Sequence, residues 1–244
     1  METYGLSEED GPDHADEDCD DEMTAEELAA ANAEIVNDRR RRRAELEGHP
    51  SLTEFLVDWD TVISADLVAR FRQALDGAKV ERDLQIFLED NPTLLVQPLG
   101  GGHGRWVLPQ KRLGGEHITD FMIAEKSSLG FEWTAVELES PTASIFTKAG
   151  EFSATASHAI RQIEDWRIWL GRNRDYATRP RDQSGLGLID IDANVPGWII
   201  IGRRSSMSAM TADRRRERSQ KLGIRIHSYD WLLDRAEARI QELR

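Results

Sequence analysis

Two glutamates separated by a single residue, Glu137 and Glu139, lie in a largely apolar segment, residues 131–141. In an extended strand they share one face with Trp133 and Ala135, because successive side chains point to opposite sides. Two carboxylates on one face of an apolar strand are unfavourable unless solvent, a cation or hydrogen-bond donors compensate their charge. The pair therefore indicates either a metal-binding site or a solvent-exposed edge strand, and other residues must decide between them.

A third carboxylate, that of Asp120, interrupts the apolar run 118–123. A buried aspartate needs a partner, which is often a turn or an arginine. The strand that carries Asp120 is expected to pair with the strand that carries Glu137, because the two follow each other across a short turn. We therefore expect these carboxylates to lie close together, where oxygen ligands of this kind suit Mg²⁺.

Two predicted helices carry polar residues beside their apolar stripes. The first helix covers residues 80–90. Its apolar stripe consists of Val80, Leu84, Phe87 and Leu88. Glu81 and Gln85 lie four residues apart on the neighbouring stripe, where they either reach a site or form a hydrogen-bonded pair on the surface.

The second helix extends from about residue 151 to residue 170. Its apolar stripe consists of Ala159, Ile160, Ile163, Trp166 and Leu170. His158 and Gln162 lie four residues apart on one side of this stripe, and Arg161 also flanks it. His158 can contact a phosphate or carry a proton, although a hydrogen-bonded helix histidine is the commoner outcome.

The remaining pattern predicts an α/β fold with a central mixed sheet flanked by helices. Strands are expected over 105–113, 117–124 and 131–139, and these three form an antiparallel meander. The apolar run 197–202 predicts a strand buried on both faces, and another strand is expected over 224–228. Residues 171–196 are polar and predict a long functional or oligomerisation loop.

Composition divides the chain into a disordered acidic tail, residues 1–23, an N-terminal helical segment, residues 24–78, and the α/β domain, residues 79–244. The formal net charge is -14, but residues 1–38 hold fifteen acids and no Lys or Arg. The remainder has thirty acids against thirty-one bases, so the net charge does not exclude DNA as a partner. The tail either solubilises the protein or contacts a basic surface.

Cysteine content and hydropathy predict the compartment. Cys19 is the only cysteine, so an intrachain disulfide is excluded and a cysteine-based zinc site is unsupported. The N-terminus is acidic and no apolar stretch is long enough to cross a bilayer, which predicts a cytoplasmic protein without membrane contact.

The candidate residues belong to a series of short motifs. These are Glu81-Arg-Asp-Leu-Gln-Ile-Phe-Leu-Glu-Asp-Asn-Pro, Thr119-Asp-Phe, Val136-Glu-Leu-Glu-Ser-Pro, Ala159-Ile-Arg-Gln-Ile-Glu-Asp-Trp, Ile200-Ile-Gly-Arg and Ser228-Tyr-Asp-Trp-Leu-Leu. Their order and spacing resemble the C-terminal domain of Shedu anti-phage proteins over about residues 79–236. The order of an acidic helix, an aspartate strand, a Glu-x-Glu strand and a glutamine helix is also similar to PD-(D/E)XK nucleases.

The resemblance implies a restriction-endonuclease-like core that hydrolyses phosphodiester bonds of invading DNA with Mg²⁺ or Mn²⁺, as an endonuclease or a nickase. It also implies a homo-oligomer, either a dimer or a tetramer. Asp120 and Glu137 would be metal ligands together with Glu139, which stands where most such nucleases have a lysine. Gln162 would be the supporting polar residue of the second helix, and Glu81 would be the acid of the first core helix.

Four further residues are candidates for DNA contact. His158 and Arg161 lie beside Gln162, and Arg203 and Arg204 follow the buried strand. Arginines at such positions either bind phosphates or balance neighbouring acids.

Glu139 leaves two interpretations open. A carboxylate at this position can bind a second metal ion or act as a general base. Without a metal ion its charge would repel phosphate, which fits a catalytically inactive DNA-sensing or partner-binding oligomer that retains the nuclease fold. A third alternative is a scaffold protein whose acidic tail recruits a basic partner.

Overall fold

The computed structural model of the chain describes residues 24–34, 50–57, 63–100, 103–207 and 209–242. Residues 1–44 and 45–244 form two compact units. In the first unit, helix α1 (25–34) begins with a capping box, in which the Glu27 N–H donates to Thr24 Oγ1 and Glu27 Oε2 accepts from the Thr24 N–H. The acidic tail expected to be disordered lies outside the described residues.

Five strands form the main sheet of the second unit. They are β1 (Arg105–Pro109), β4 (Phe121–Ser127), β5 (Gly130–Leu138), β6 (Gly197–Ile200) and β7 (Ile224–His227), in the spatial order β1-β4-β5-β6-β7. β1, β4 and β5 pair antiparallel, whereas β5, β6 and β7 pair parallel. Two short strands, β2 (Arg112–Leu113) and β3 (His117–Ile118), form a separate ladder. The mixed α/β sheet that the sequence predicts is confirmed.

Helices cover both faces of this sheet. They are α2 (Pro50–Thr53), α3 (Ala65–Gly77), α4 (Glu81–Asp90), α5 (Thr93–Val96), α6 (Ala154–Arg172), α7 (Arg174–Thr178), α8 (Ala209–Leu222) and α9 (Tyr229–Glu242). The predicted apolar stripe of α6 packs on one face, and apolar residues of α3, α4, α5 and α9 pack on the other. Every residue of β6 is buried, as expected for a strand between two cores. No helix in the described ranges is both long and apolar enough to cross a membrane.

Several element boundaries differ from the sequence prediction. The strand expected over 105–113 ends at Pro109, because Gln110 adopts a φ of 45° and turns the chain. Val80 is an exposed residue that precedes α4, so it is not part of the buried stripe. Residues 171–196 are not a structureless loop, since they contain α7 and bury apolar side chains in the α6-side core. These side chains are Ala177, Leu186, Leu188, Ile191 and Val195.

Gly202 fixes the chain where it leaves β6. Its φ is 68°, and a Cβ at this position would lie 2.2 Å from the Ala143 carbonyl oxygen. Its own carbonyl accepts the Tyr229 N–H at 3.1 Å. Replacement by alanine therefore requires both a strained backbone and a shift of the Ala143 segment.

We expect Gly202→Ala to lower the free energy of unfolding by at least about 2 kcal/mol, because a left-handed backbone strain and a steric clash act together. Urea unfolding followed by circular dichroism measures the loss. Gly115→Ala is the matched control, since a Cβ at Gly115 meets nothing within 4 Å. Equal stability of the two variants would contradict this role for Gly202.

Candidate active site

The pairing of β4 with β5 brings two acidic residues together. Phe121, the first residue of β4, lies opposite Val136 of β5. Asp120 immediately precedes Phe121, so it lies beside Glu137 near the end of β5. The Leu138 N–H donates to Asp120 Oδ2 at 2.7 Å. Burial raises the pKa of Glu137, and the charge of Asp120 raises it further. The proximity of Asp120 and Glu137 that the sequence predicts is thus observed.

Glu137 and Glu139 share one face of the sheet, as their spacing predicts, and this face is the one covered by α6. Trp133 and Ala135, which share this face, belong to the α6-side core. The exposed fraction of Glu137 is 5% and that of Glu139 is 9%. Because β5 lies between two other strands, the alternative of a solvent-exposed edge strand is excluded.

Burial and mutual repulsion raise the pKa values of this cluster. Desolvation raises the pKa of Asp120 to about 6, although the hydrogen bond from Leu138 opposes it. Desolvation, followed by the charge of Asp120, raises the pKa values of Glu81 and Glu139 to about 7. Burial, together with the charges of the other three acids, raises the pKa of Glu137 well above its ordinary value. The four carboxyl groups therefore form one electrostatic cluster.

Helix α4 supplies a polar stripe to this cluster. Glu81 and the buried Gln85 are followed one turn later by Glu89, whose Oε1 is buried without a hydrogen-bond partner in the described structure. The charge of Glu89 raises the pKa of Asp120, and that of Arg82 lowers it. Glu89 and Arg82 were not predicted as site residues, although the four-residue spacing from Glu81 to Gln85 to Glu89 is a signal that could have included Glu89.

Helix α6 lies over the face of the sheet that carries Glu137 and Glu139. His158 Nδ1 is 3.7 Å from Glu139 Oε1, and the imidazole remains largely exposed. One turn later, Gln162 Oε1 is buried without a hydrogen-bond partner in the part of the chain that the structure describes. Arg161 lies on the exposed surface of the helix. The structure therefore brings His158 to the cluster and does not give Arg161 a contact with it.

A residue that sequence reasoning missed holds the backbone at Glu139. The Tyr229 hydroxyl donates to the Glu139 carbonyl oxygen at 2.9 Å, and the Tyr229 side chain is fully buried. The Glu139 N–H donates to the Ile200 carbonyl oxygen at 2.9 Å. Because Tyr229 is ninety positions away in sequence, no local spacing indicates this contact.

Arg203 and Arg204 are engaged within the chain. Arg203 pairs with Asp230 and Asp76, each at 3.1 Å, and Arg204 pairs with Asp234. The Arg204 backbone N–H also donates to Asp230 Oδ2 at 2.7 Å. These aspartates pair with both arginines within the chain, and contact of Arg203 and Arg204 with DNA stays a prediction.

The donor atoms of the cluster fit a divalent cation in type. Asp120, Glu137 and Glu139 offer carboxylate oxygens, which Mg²⁺ prefers. Glu137 Oε2 is buried without a hydrogen-bond partner, so it has unsatisfied acceptor capacity. Nevertheless, within the described residues no three His, Cys, Asp or Glu side chains are already arranged to hold a metal ion together. The carboxylate oxygens are therefore suitable ligands for a divalent cation, and their final arrangement would have to form as the cation binds.

No curated protein sequence matches the chain. A solved chain described as "Structure of EndoMS-dsDNA2 complex" is 14% identical, with a TM-score of 0.29, and the match covers 70% of this chain and 46% of that one. This chain therefore spans less than half of that relative, and a similarity of this size does not bear on function.

The family comparison covers the whole region that contains the acidic cluster. The family described as "Shedu protein SduA, C-terminal" matches residues 78–233, which is more than half of the chain. This interval includes α4, the five strands of the sheet and α6. The chain therefore belongs to the Shedu SduA C-terminal family.

Proposed function

We propose that this protein is a metal-dependent DNA endonuclease or nickase that acts in anti-phage defence. The observation that carries the proposal is the carboxyl cluster around Glu137, which is 5% exposed and has an unpartnered oxygen. Placing four acids in one partly buried site destabilises the fold, and such an arrangement is typical of functional sites. Family membership supports the same function.

The reaction we propose is hydrolysis of a DNA phosphodiester. A water oxygen bonds to phosphorus, one P–O ester bond breaks, and the proton lost by water is balanced by a proton gained by the leaving oxygen. Mg²⁺ or Mn²⁺ held by Asp120, Glu137 and Glu139 would orient the phosphate and make the water more acidic.

The protein residues hold these groups in position. The Leu138 N–H orients the Asp120 carboxylate, and Tyr229 fixes the backbone that carries Glu139. Burial, followed by the charge of Asp120, raises the pKa of Glu139 to about 7 when no cation is bound, and a bound cation would favour its charged form. His158 Nδ1 lies 3.7 Å from Glu139 Oε1, beside the proposed metal ligands.

A cleavage assay tests the proposal. Supercoiled plasmid and linear duplex DNA are incubated with purified protein and Mg²⁺ or Mn²⁺, and gel electrophoresis distinguishes nicked from linear product. We expect wild type to cleave and Glu137→Ala to lose at least about a thousandfold in rate, because the variant lacks a central carboxylate. Cleavage that survives Glu137→Ala would contradict the site assignment.

A catalytically inactive DNA-sensing or partner-binding oligomer is the second candidate function. Glu139 favours it, because a negative group at this position adds to the repulsion of phosphate when no cation is bound. This candidate predicts DNA binding without cleavage under either divalent ion. Gain of cleavage in Glu139→Lys, with none in wild type, would support it.

We also propose that the protein forms a dimer or a tetramer. Light scattering of the purified protein measures which of the two forms.

A further inference from the structure

We propose that a row of basic side chains on helix α8, Arg214, Arg218 and Lys221, binds the sugar-phosphate backbone of duplex DNA beside the acidic cluster. These three residues are called the α8 basic stripe below. The inference rests on the proposed nuclease function, which makes DNA the substrate, and it adds the surface that would hold the duplex next to the site.

The charge of α8 is not balanced within the helix. Residues 213–221 contain five Arg or Lys residues and two acids. Positions 214, 218 and 221 are four and three residues apart, so they share one face of the helix. Like charges at this spacing destabilise a helix, and an anionic ligand bound to the same face would offset that cost.

The α8 basic stripe borders the connection between β5 and α6, residues 139–153. Arg218 Nη2 lies 3.6 Å from Glu151 Oε2, and the Arg218 guanidinium carbon lies 5.5 Å from the centre of the Phe152 ring. The Arg214 guanidinium covers Gly150, where a Cβ would overlap it. Contacts one helical turn apart on α8 therefore fix the stripe against this connection.

Both ends of the same connection lie near the acidic cluster. It begins at Glu139, and it ends at Ser153, which caps α6 by accepting the Ala156 N–H at its hydroxyl oxygen. His158, five residues after Ser153, lies 3.7 Å from Glu139. Five residues of α-helix cover about 8 Å, which corresponds to about two nucleotides of duplex rise. A duplex with one phosphate at the acids can therefore reach the stripe with phosphates close by on the same strand.

The length of the stripe suits a repeating anion. The seven residues from Arg214 to Lys221 span about 10 Å along the helix axis. Successive phosphates of one strand advance about 3.4 Å along the duplex axis, so the stripe can contact about three of them. This match favours a nucleic-acid backbone over an isolated acidic side chain of a protein partner.

The acidic partners of the stripe can be replaced by phosphate. The side chains of Arg218 and Glu151 are 46% and 74% exposed, and Lys221 pairs with Glu217 of its own helix at 2.7 Å. Exposed ion pairs of this kind contribute little to stability, so phosphate oxygens can take the place of the carboxylates. Lys148, which is exposed two residues before Gly150, adds positive charge at the same border.

The test measures DNA binding separately from cleavage. Fluorescence anisotropy of a labelled duplex of about 30 base pairs is recorded in Ca²⁺ over a series of NaCl concentrations, for wild type and for Arg214→Ala/Arg218→Ala. Arg172→Ala/Arg174→Ala is the matched control, because both arginines are exposed helix residues and Arg172 lies about 21 Å beyond His158 along α6. The melting temperature of each variant verifies folding.

We expect the Arg214→Ala/Arg218→Ala variant to bind at least about tenfold more weakly than wild type at about 0.1 M NaCl. The slope of log K against log[NaCl] should become shallower by about 1.8, which is about 0.9 for each lost phosphate contact. The control should stay within about twofold in affinity with an unchanged slope. If the double variant does not fold, Arg214→Gln and Arg218→Gln carry the test singly, each with a slope change of about 0.9.

A Glu151→Gln variant separates phosphate binding from a purely structural role of Arg218. Removing the competing carboxylate frees Arg218 for the duplex, so binding should tighten about threefold. If Arg218 only held the β5–α6 connection through Glu151, the variant would instead weaken binding as Arg218→Gln does. Weaker or unchanged binding of Glu151→Gln therefore overturns the inference.

The remaining outcomes distinguish the inference from the proposed function. An Arg214→Ala/Arg218→Ala variant that matches the control in affinity and slope overturns the inference and leaves the nuclease function intact. A wild type that shows the expected binding differences but does not cleave with Mg²⁺ or Mn²⁺ overturns the nuclease function and supports the stripe as a DNA-binding surface. A wild type that does not bind the duplex overturns the inference.

Discussion

An Asp120→Asn variant is expected to lose DNA cleavage. In the absence of divalent cations at pH 8, its free energy of unfolding is nevertheless expected to be about 2 kcal/mol higher than that of wild type. Asparagine keeps an oxygen that can accept the Leu138 N–H, but it removes one charge from the cluster. Raising the pKa of Asp120 from 3.8 to about 6 corresponds to about 3 kcal/mol at pH 8. A neutral amide accepts the Leu138 hydrogen bond more weakly, which offsets part of this gain.

The sign of the effect follows from proton binding. The pKa of Asp120 is raised from 3.8 to about 6, and that of Glu139 from 4.5 to about 7. At pH values between the ordinary and the raised pKa of each group, the folded protein retains a proton that the unfolded chain has released. Wild-type stability therefore falls as pH rises through this window, and it is greatest, for these groups, below pH 4. The advantage of asparagine should be close to zero at pH 4 and complete at pH 8.

Urea unfolding in EDTA at the two pH values measures this difference. Asp192→Asn is the matched control, because Asp192 is exposed and also accepts a backbone N–H, that of Asn194, at 2.7 Å. The control should show no gain that grows with pH. An Asp120→Asn variant that cleaves DNA, or whose stability follows the same pH dependence as wild type, would contradict the prediction.

At pH 8, a concentration of Mg²⁺ or Mn²⁺ about a hundred times its dissociation constant at that pH is expected to raise the melting temperature of the protein by about 5–10 °C. The physical reason is that the cation binds only the folded cluster and neutralises the repulsion among its carboxylates. At pH 5.5 protons compete for the same oxygens, so the increase should be less than half as large. This measurement does not depend on catalytic activity.

Differential scanning fluorimetry over a range of cation concentrations measures the shift. Sodium chloride at equal ionic strength controls for screening of surface charge. Asp120→Asn should lose most of the increase, since it removes one proposed ligand. An equal increase in this variant would place the cation elsewhere, and no increase at pH 8 would contradict the metal dependence we propose.

The most regular parts of the chain could be predicted from the sequence. β5 is an interior strand with two distinct faces, so the period of two places Glu137 with Trp133 and Ala135 on the α6 side. The apolar stripe of α6 likewise follows a helical period, and its predicted members are all buried. In both elements a single local pattern determines which side chains reach the site.

Contacts between distant segments could not be predicted in this way. Tyr229 reaches Glu139 only because α9 begins beside the end of β6, and the sequence has no signal for that proximity. Residues 171–196 were expected to be a long functional or oligomerisation loop because the segment is polar, yet Leu188 and Ile191 are buried. In the sequence Arg203 and Arg204 have no nearby acidic partner, whereas in the structure their aspartate partners lie on α3 and α9.

The contacts of Arg203 bear on the shortest fragment of this protein that can fold. Its guanidinium donates to Asp76 and to the Leu75 carbonyl oxygen at the end of α3, and also to Asp230 at the start of α9. α3 also buries Phe71 and Leu75 in the core that contains α4 and α9. A fragment that begins at residue 78, where the family match starts, would expose that core and leave Arg203 with one aspartate. We therefore expect the smallest fragment that folds by itself to begin before α3, upstream of the segment that the family match covers.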